Sequence, residues 1–160
     1  MATTRAILTP LAAEFPASGY AALTSINNRP ALAFDAAADE AAQWTFVAPQ
    51  GITGALTAVL TLIGGAAGTN STYWQVSVEA VTSADATDLD AIDSFDTANA
   101  GNVAMPATQG HMVQLSIVLT NADGVAAGDY LRVRVNRDAD NAADNFSADA
   151  YLLAVEIREA

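Results

Sequence analysis

The sequence predicts an all-β fold: an antiparallel β-sandwich of jelly-roll type with an extended N-terminal arm. Three observations predict it. Apolar and polar residues alternate with period 2 in several segments, most cleanly in residues 72–81. There Trp74, Val76, Val78 and Ala80 share one face while Gln75, Ser77 and Glu79 share the other. Runs rich in β-branched and aromatic residues are separated by clusters of Gly, Pro, Asn and Asp. No stretch sustains a helical period beyond a single turn. With 160 residues, the chain has the size of one domain, divided into an arm over 1–18 and a single jelly-roll domain over 19–160.

Taken in order, residues 1–18 carry Pro10 and Pro16 and show no clean period. Proline cannot donate to a sheet ladder, so this stretch is expected to hold at most a short strand over 6–9. Residues 20–26 and 31–35 read as strands joined by a turn at Asn27, Asn28, Arg29 and Pro30. Residues 42–47 alternate Trp44 and Phe46 against Gln43, Thr45 and Val47. The run 55–63 is apolar on both parities, as in a strand covered on both sides. Gly64, Gly65 and Gly68 mark a connection before the strand over 72–81. Residues 83–109 are polar and acidic, with Leu89, Ile92 and Phe95 spaced for one helical turn. Strands over 111–120, 129–136 and 148–158 close the chain. Eight or so strands with long connections suit a jelly roll better than a tight meander.

Composition excludes several function classes. The formal net charge is -12, and all six basic residues are arginine. Such a chain is repelled by nucleic acid and by anionic membrane surfaces, so neither is an expected partner. It contains no Cys and no Lys, which removes thiol and Schiff-base chemistry and disulfides. The start has no apolar run of signal-peptide length and no run approaches 18 apolar residues, so synthesis in the cytoplasm and no membrane span are expected. Alanine supplies 37 of the 160 residues, so the core must come from the larger apolar side chains.

Catalytic constellations are thin. His111 is the single histidine and stands in no nucleophile-elbow sequence. Paired carboxylates could serve a glycosidase, but the acids lie in polar loops that favour ordinary ionised behaviour. No enzyme, cofactor or required metal is therefore expected. Asp138, Asp140, Asp144 and Asp149 are spaced closely within one loop, yet Ala142 and Ala143 stand where a helix–loop–helix calcium site needs a ligand and a glycine. Arg132, Arg134 and Arg137 gather half the positive charge on one segment. Arginine suits carboxylate pairing, either with acids such as Glu156 on a neighbouring strand or with a second subunit.

The segments Trp44-Thr45-Phe46-Val47-Ala48-Pro49, Gly51 to Gly54 with the run to Ile63, and Tyr73-Trp74-Gln75-Val76 resemble a jelly-roll type common among tailed-bacteriophage virion proteins. The late segments Gly128-Asp129-Tyr130-Leu131-Arg132-Val133-Arg134-Val135, Arg137-Asp138 and 150–157 are similar to its closing strands. The resemblance implies a capsid cement (decoration) protein: a homotrimer, made in the host cytoplasm, that binds the major capsid protein on the outer surface of the virion and stabilises it. In that setting the arm residues Ile7, Leu8, Leu11 and Phe15 are expected capsid contacts, and Arg132, Arg134 and Arg137 expected inter-subunit contacts. The alternatives are a head or tail fibre and a carbohydrate-binding adhesin module. The last requires exposed aromatic residues on one face; only Trp44, Trp74, Tyr20, Tyr73, Tyr130 and Tyr151 could serve, and most of them occupy core-parity positions.

Overall fold

Ten strands and a single 3-10 turn, Pro10–Ala12, account for the regular structure of the computed structural model, which describes residues 2–91 and 93–159. The strands are β1 (Thr3–Leu8), β2 (Ala22–Ile26), β3 (Arg29–Phe34), β4 (Glu40–Val47), β5 (Leu56–Gly64), β6 (Ser71–Val81), β7 (Asn99–Ala104), β8 (Met112–Leu119), β9 (Tyr130–Arg137) and β10 (Ala150–Glu159). They form two antiparallel sheets. One has the order β2-β3-β10-β5-β8 with β1 also on β10; the other has the order β4-β9-β6-β7. This is the expected jelly-roll sandwich.

The period-2 segments become strands with the expected faces. In β6, Trp74, Val76 and Val78 are fully buried, and in β9 so are Leu131, Val133 and Val135. The two-sided run β5 lies at the centre of its sheet, between β10 and β8. The Trp74 ring meets Phe34 edge-on at 4.9 Å, and its indole N–H donates to Thr72 Oγ1 at 2.8 Å. That bond satisfies the one polar atom Trp74 brings into the core. Asn27 and Asn28 both take positive φ, 47° and 63°. Those angles make the tight hairpin turn from β2 to β3 that Asn tolerates.

The N-terminal segment is extended, as expected, and docked. β10 shares one edge between β3, over Ala150 to Leu152, and β1, over Val155 to Glu159. Alternation along β1 sends Ile7 outward opposite Glu156 and Leu8 inward opposite Val155. Leu8 therefore belongs to the hydrophobic core, which corrects its expected role as a capsid contact. A register shift at Arg5 turns its guanidinium onto Glu159 and the Gly51 carbonyl, 2.9 Å away. The Thr53 hydroxyl and N–H, and then Arg5, hold the Glu159 carboxyl below its usual range. Further along, Trp44 Nε1 donates to the Thr9 carbonyl at 2.8 Å, and Glu14 pairs with Gln43 along the edge of β4.

One strand was not expected. β7 lies within the polar stretch 83–109, and its sequence Asn-Ala-Gly-Asn-Val-Ala shows no alternation of apolar and polar residues. It is a strand because its backbone completes the ladder along β6, from Ser71 to Val76. The expected helical turn at Leu89, Ile92 and Phe95 forms no helix among the described residues, and Ile92 lies outside them.

Candidate functional site

The outward face of the four-stranded sheet gathers polar side chains. In register across β4, β9 and β6, Thr45, Arg132 and Glu79 form one row; Gln43, Arg134 and Ser77 the next; and Ala41, Asn136 and Gln75 the third. All sit at the parity opposite to Trp44, Val133 and Val78, so the alternation that builds the core also builds this face.

Two segments wall it. On one side, residues 13–20 run along β4, held by Glu14 N to Gln43 O at 2.7 Å and Ala41 N to Gly19 O at 2.8 Å. Gly19 has φ +60°, and a Cβ there would meet the Asp39 carbonyl at 3.2 Å. Glycine thus lets this wall turn where it does. On the other side, the described residues of 82–98 form a strap over the arginines. Asp93 accepts from Arg132 at 2.6 Å and from Arg134 at 2.9 Å. The Phe95 ring lies 4.7 Å and 4.0 Å from the two guanidinium carbons, within cation–π range. Beneath the strap, Glu79 has no solvent exposure; it is neutralised by Arg132 at 2.7 Å and accepts a hydrogen bond from the Ser94 hydroxyl at 2.8 Å.

Between the 13–20 segment and the sheet face lies a groove of about 300 Å³ lined by Pro16, Ser18, Gly19, Ala41, Gln75, Ser77, Arg134 and Asn136. Its hydrogen-bonding groups are largely uncommitted. Gln75 Nε2 donates to Asp138, and Arg134 uses Nε and Nη2 on Gln43 and Asp93. The Asn136 amide, the Ser77 hydroxyl, Gln75 Oε1 and Arg134 Nη1 have no side-chain partner among the described residues. Among the described residues no buried side-chain polar atom lacks a partner, so these groups are open to solvent and to a ligand. Beside the groove, Phe15 and Tyr20 pack with ring centroids 6.0 Å apart and are 40% and 52% exposed.

The remaining aromatic candidates divide cleanly. Trp44 and Trp74 are core residues, whereas Tyr130 is exposed and Tyr73 and Tyr151 are half-buried. The arginine trio also divides. Arg132 and Arg134 face the strap, but Arg137 has core parity and is completely enclosed. It holds Asp144 through two bonds of 2.9 Å and donates to the carbonyls of Phe34, Phe146 and Ala148. Its five donors are thus engaged within its own chain, which corrects its expected place at a subunit contact. The parity of Leu131, Val133 and Val135 was the signal that could have separated it from the other two.

Asp144 is accordingly a partner of Arg137 and not a loop ligand. Among the described residues, the carboxylates that do converge are Asp39, Asp138 and Asp140, each with an oxygen within 4.8 Å of the others. Asp138 already accepts from Gln75 and Asn141. A hydrogen bond with Asp138 and the charges of Asp39 and Asp138 push the Asp140 carboxyl up.

The strap carries a pH dependence. Partial burial pushes the Asp93 carboxyl up, but hydrogen bonds and charge from Arg134 and Arg132 outweigh it and hold the group below its ordinary 3.8. A depressed carboxyl contributes stability that is present above the unfolded value and lost as pH falls through the folded one. The melting temperature of Asp93→Asn should therefore fall less than that of the wild type between about pH 5 and about pH 3. Parallel curves for the two proteins would mean that the strap contact carries no stability. The carboxylate is half exposed, so the difference is expected to be small and to shrink with added salt.

No family model matches the sequence, and no curated protein matches it. Solved structures do share the fold. A carbohydrate-binding module from Clostridium stercorarium, solved in complex with cellobiose, superposes with a TM-score of 0.57 at 12% identity, covering 99% of this chain and 98% of that one. A second carbohydrate-binding module, described for specific mannan recognition, superposes with a TM-score of 0.51 at 10% identity, covering 100% and 99%.

Proposed function

We propose that this chain is a non-catalytic carbohydrate-binding domain that takes its ligand in the groove on the outer face of the four-stranded sheet. The observation that carries the reading is the set of open hydrogen-bonding groups on Gln75, Ser77, Arg134 and Asn136, beside the exposed Phe15 and Tyr20. Sugar hydroxyls both donate and accept. They are matched by amides, a hydroxyl and a guanidinium edge held on a rigid sheet, and a sugar's apolar C–H face is matched by an aromatic ring. Arg134, the one charged residue lining the groove, is balanced by Asp93, and its neighbour Arg132 by Glu79 and Asp93, which favours a neutral ligand. The cellobiose-bound and mannan-recognising proteins of the same fold support the same class.

The test is calorimetric titration with neutral oligosaccharides, beginning with cellobiose and manno-oligosaccharides. Asn136→Ala and Tyr20→Ala should each weaken binding by about tenfold, the loss of one hydrogen-bonding or stacking contact. Both side chains lie outside the core, so the melting curves should be preserved. Equal binding by wild type and both variants would move the site elsewhere. Absence of binding across the panel at millimolar concentration would reject the reading.

A second reading is favoured by a separate observation: Ile7, Leu11 and Phe15 remain 66%, 71% and 40% exposed along the N-terminal segment. Exposed apolar side chains beside a docked segment suit attachment to a larger surface. On this reading the domain decorates the outside of a capsid through contact with the major capsid protein, and the groove faces outward.

A further inference from the structure

We propose that the chain self-associates as a two-fold dimer through the free edge of β8, which pairs antiparallel with the same strand of a second copy and joins the two larger sheets into one. The proposal does not depend on the carbohydrate reading.

β8 is the end strand of its sheet. One edge pairs with β5 from Ile63 to Leu56, and no segment pairs with the other among the described residues. Proteins usually blunt such edges with charge, proline, shortness or a covering segment. The outer edge of β4 is covered in this way by Glu14 and by the backbone from Gly19 to Ala21. The eight residues of β8, Met-Val-Gln-Leu-Ser-Ile-Val-Leu, include no charge and no proline.

The surroundings are uncharged as well. From Thr97 to Ala122 no residue is Asp, Glu, Lys or Arg, in a chain of net charge -12. That stretch supplies both β7 and β8, the end strands of the two sheets, which meet on one flank. Gly101 of β7 lies so close to β8 that a Cβ there would sit 3.2 Å from Ile117 Cγ1. Over such a flank two copies of a strongly acidic protein meet with little local repulsion.

The strand is also complementary to itself. Its outward residues are Met112, Gln114, Ser116 and Val118, apolar at the ends and polar between, with Met112 and Val118 61% and 63% exposed. Centred on Leu115, a two-fold antiparallel pair sets Met112 opposite the partner's Val118 and Gln114 opposite the partner's Ser116. On the inward side it sets Val113 opposite the partner's Ile117. Moving the centre to Gln114 or Ser116 puts Met112 or Val118 against a polar residue instead. An isologous contact requires this self-matching, and it commits the edge to a second copy over an unrelated strand. The strand pair alone is smaller than a standard interface of about 1,600 Å², so a dissociation constant of roughly micromolar order is expected.

Sedimentation velocity between about 1 and about 100 µM tests the proposal, since it spans the expected constant. The wild type should move from monomer to dimer across that range. Gln114→Glu with Ser116→Glu sets like charges opposite each other around the axis and should weaken association by about tenfold or more. Gln114→Glu with Ser116→Lys pairs opposite charges only in the proposed register and should restore the dimer. Both positions are exposed, and unchanged melting curves would confirm that each variant folds. A wild type that stays monomeric or forms a trimer, a double-Glu variant that dimerises as well as wild type, or a monomeric Glu/Lys variant would each overturn the proposal.

Discussion

Arg137→Ala should destabilise the domain by about 3–5 kcal/mol in urea denaturation, because it leaves a buried carboxylate uncompensated. Asp144 lies 2.9 Å from the guanidinium, and the two side chains are 1% and 0% exposed. Truncation would also leave the carbonyls of Phe34 and Phe146 without the donor that joins β3 to the 138–149 loop. A domain of this kind has only about 5–15 kcal/mol of total stability, so the variant should melt far below the wild type. Arg137→Met combined with Asp144→Leu removes both charges at similar volume and should recover part of the loss. It cannot recover all of it, because the carbonyls remain unpaired. A single-variant loss below about 1 kcal/mol would show that the buried pair is not what holds this end of the sandwich.

Removal of residues 2–16 should unfold the domain or leave it aggregated at room temperature. Reading the segment as a detachable arm leads to the opposite expectation, a folded domain that merely loses its attachment. The truncation deletes β1 from the edge of β10, takes Arg5 from Glu159 and frees the Trp44 indole N–H. It also removes Leu8 from the core, which alone corresponds to about 2–5 kcal/mol for a Leu→Ala change. The exposed edges of β4 and β10 would then be open to intermolecular pairing. Circular dichroism and light scattering on the truncated chain decide the matter. A cooperative melting curve close to wild type would show that the segment is only draped on the sandwich. Capsid attachment is better tested with Leu11→Ser and Phe15→Ser, which change exposed side chains and leave β1 in place.

Much of this architecture was legible in the chain because side-chain alternation is local. β6 and β9 declare their buried faces within ten residues, and Asn27-Asn28 declares its turn. Net charge and the lack of Cys and Lys narrow the partners and the chemistry before any contact is known. The groove was only partly legible: parity places Gln75, Ser77, Arg134 and Asn136 on an outward face, but not beside one another.

What the tertiary structure decided depends on pairing between distant segments. β7 has no pattern of its own and is a strand because β6 offers it a ladder. Leu8 is core and Ile7 is surface because β1 docks on β10, some 150 residues away in sequence, in one register and not the next. Arg132 and Arg134 became a clamp only when the 82–98 strap brought Asp93 and Phe95 over them. Arg137, three residues beyond Arg134, went to the interior because Asp144 and three carbonyls were there to receive its donors. A period-2 pattern states which way a side chain points. What it meets is set by the closure of the sheets, and that information is not local.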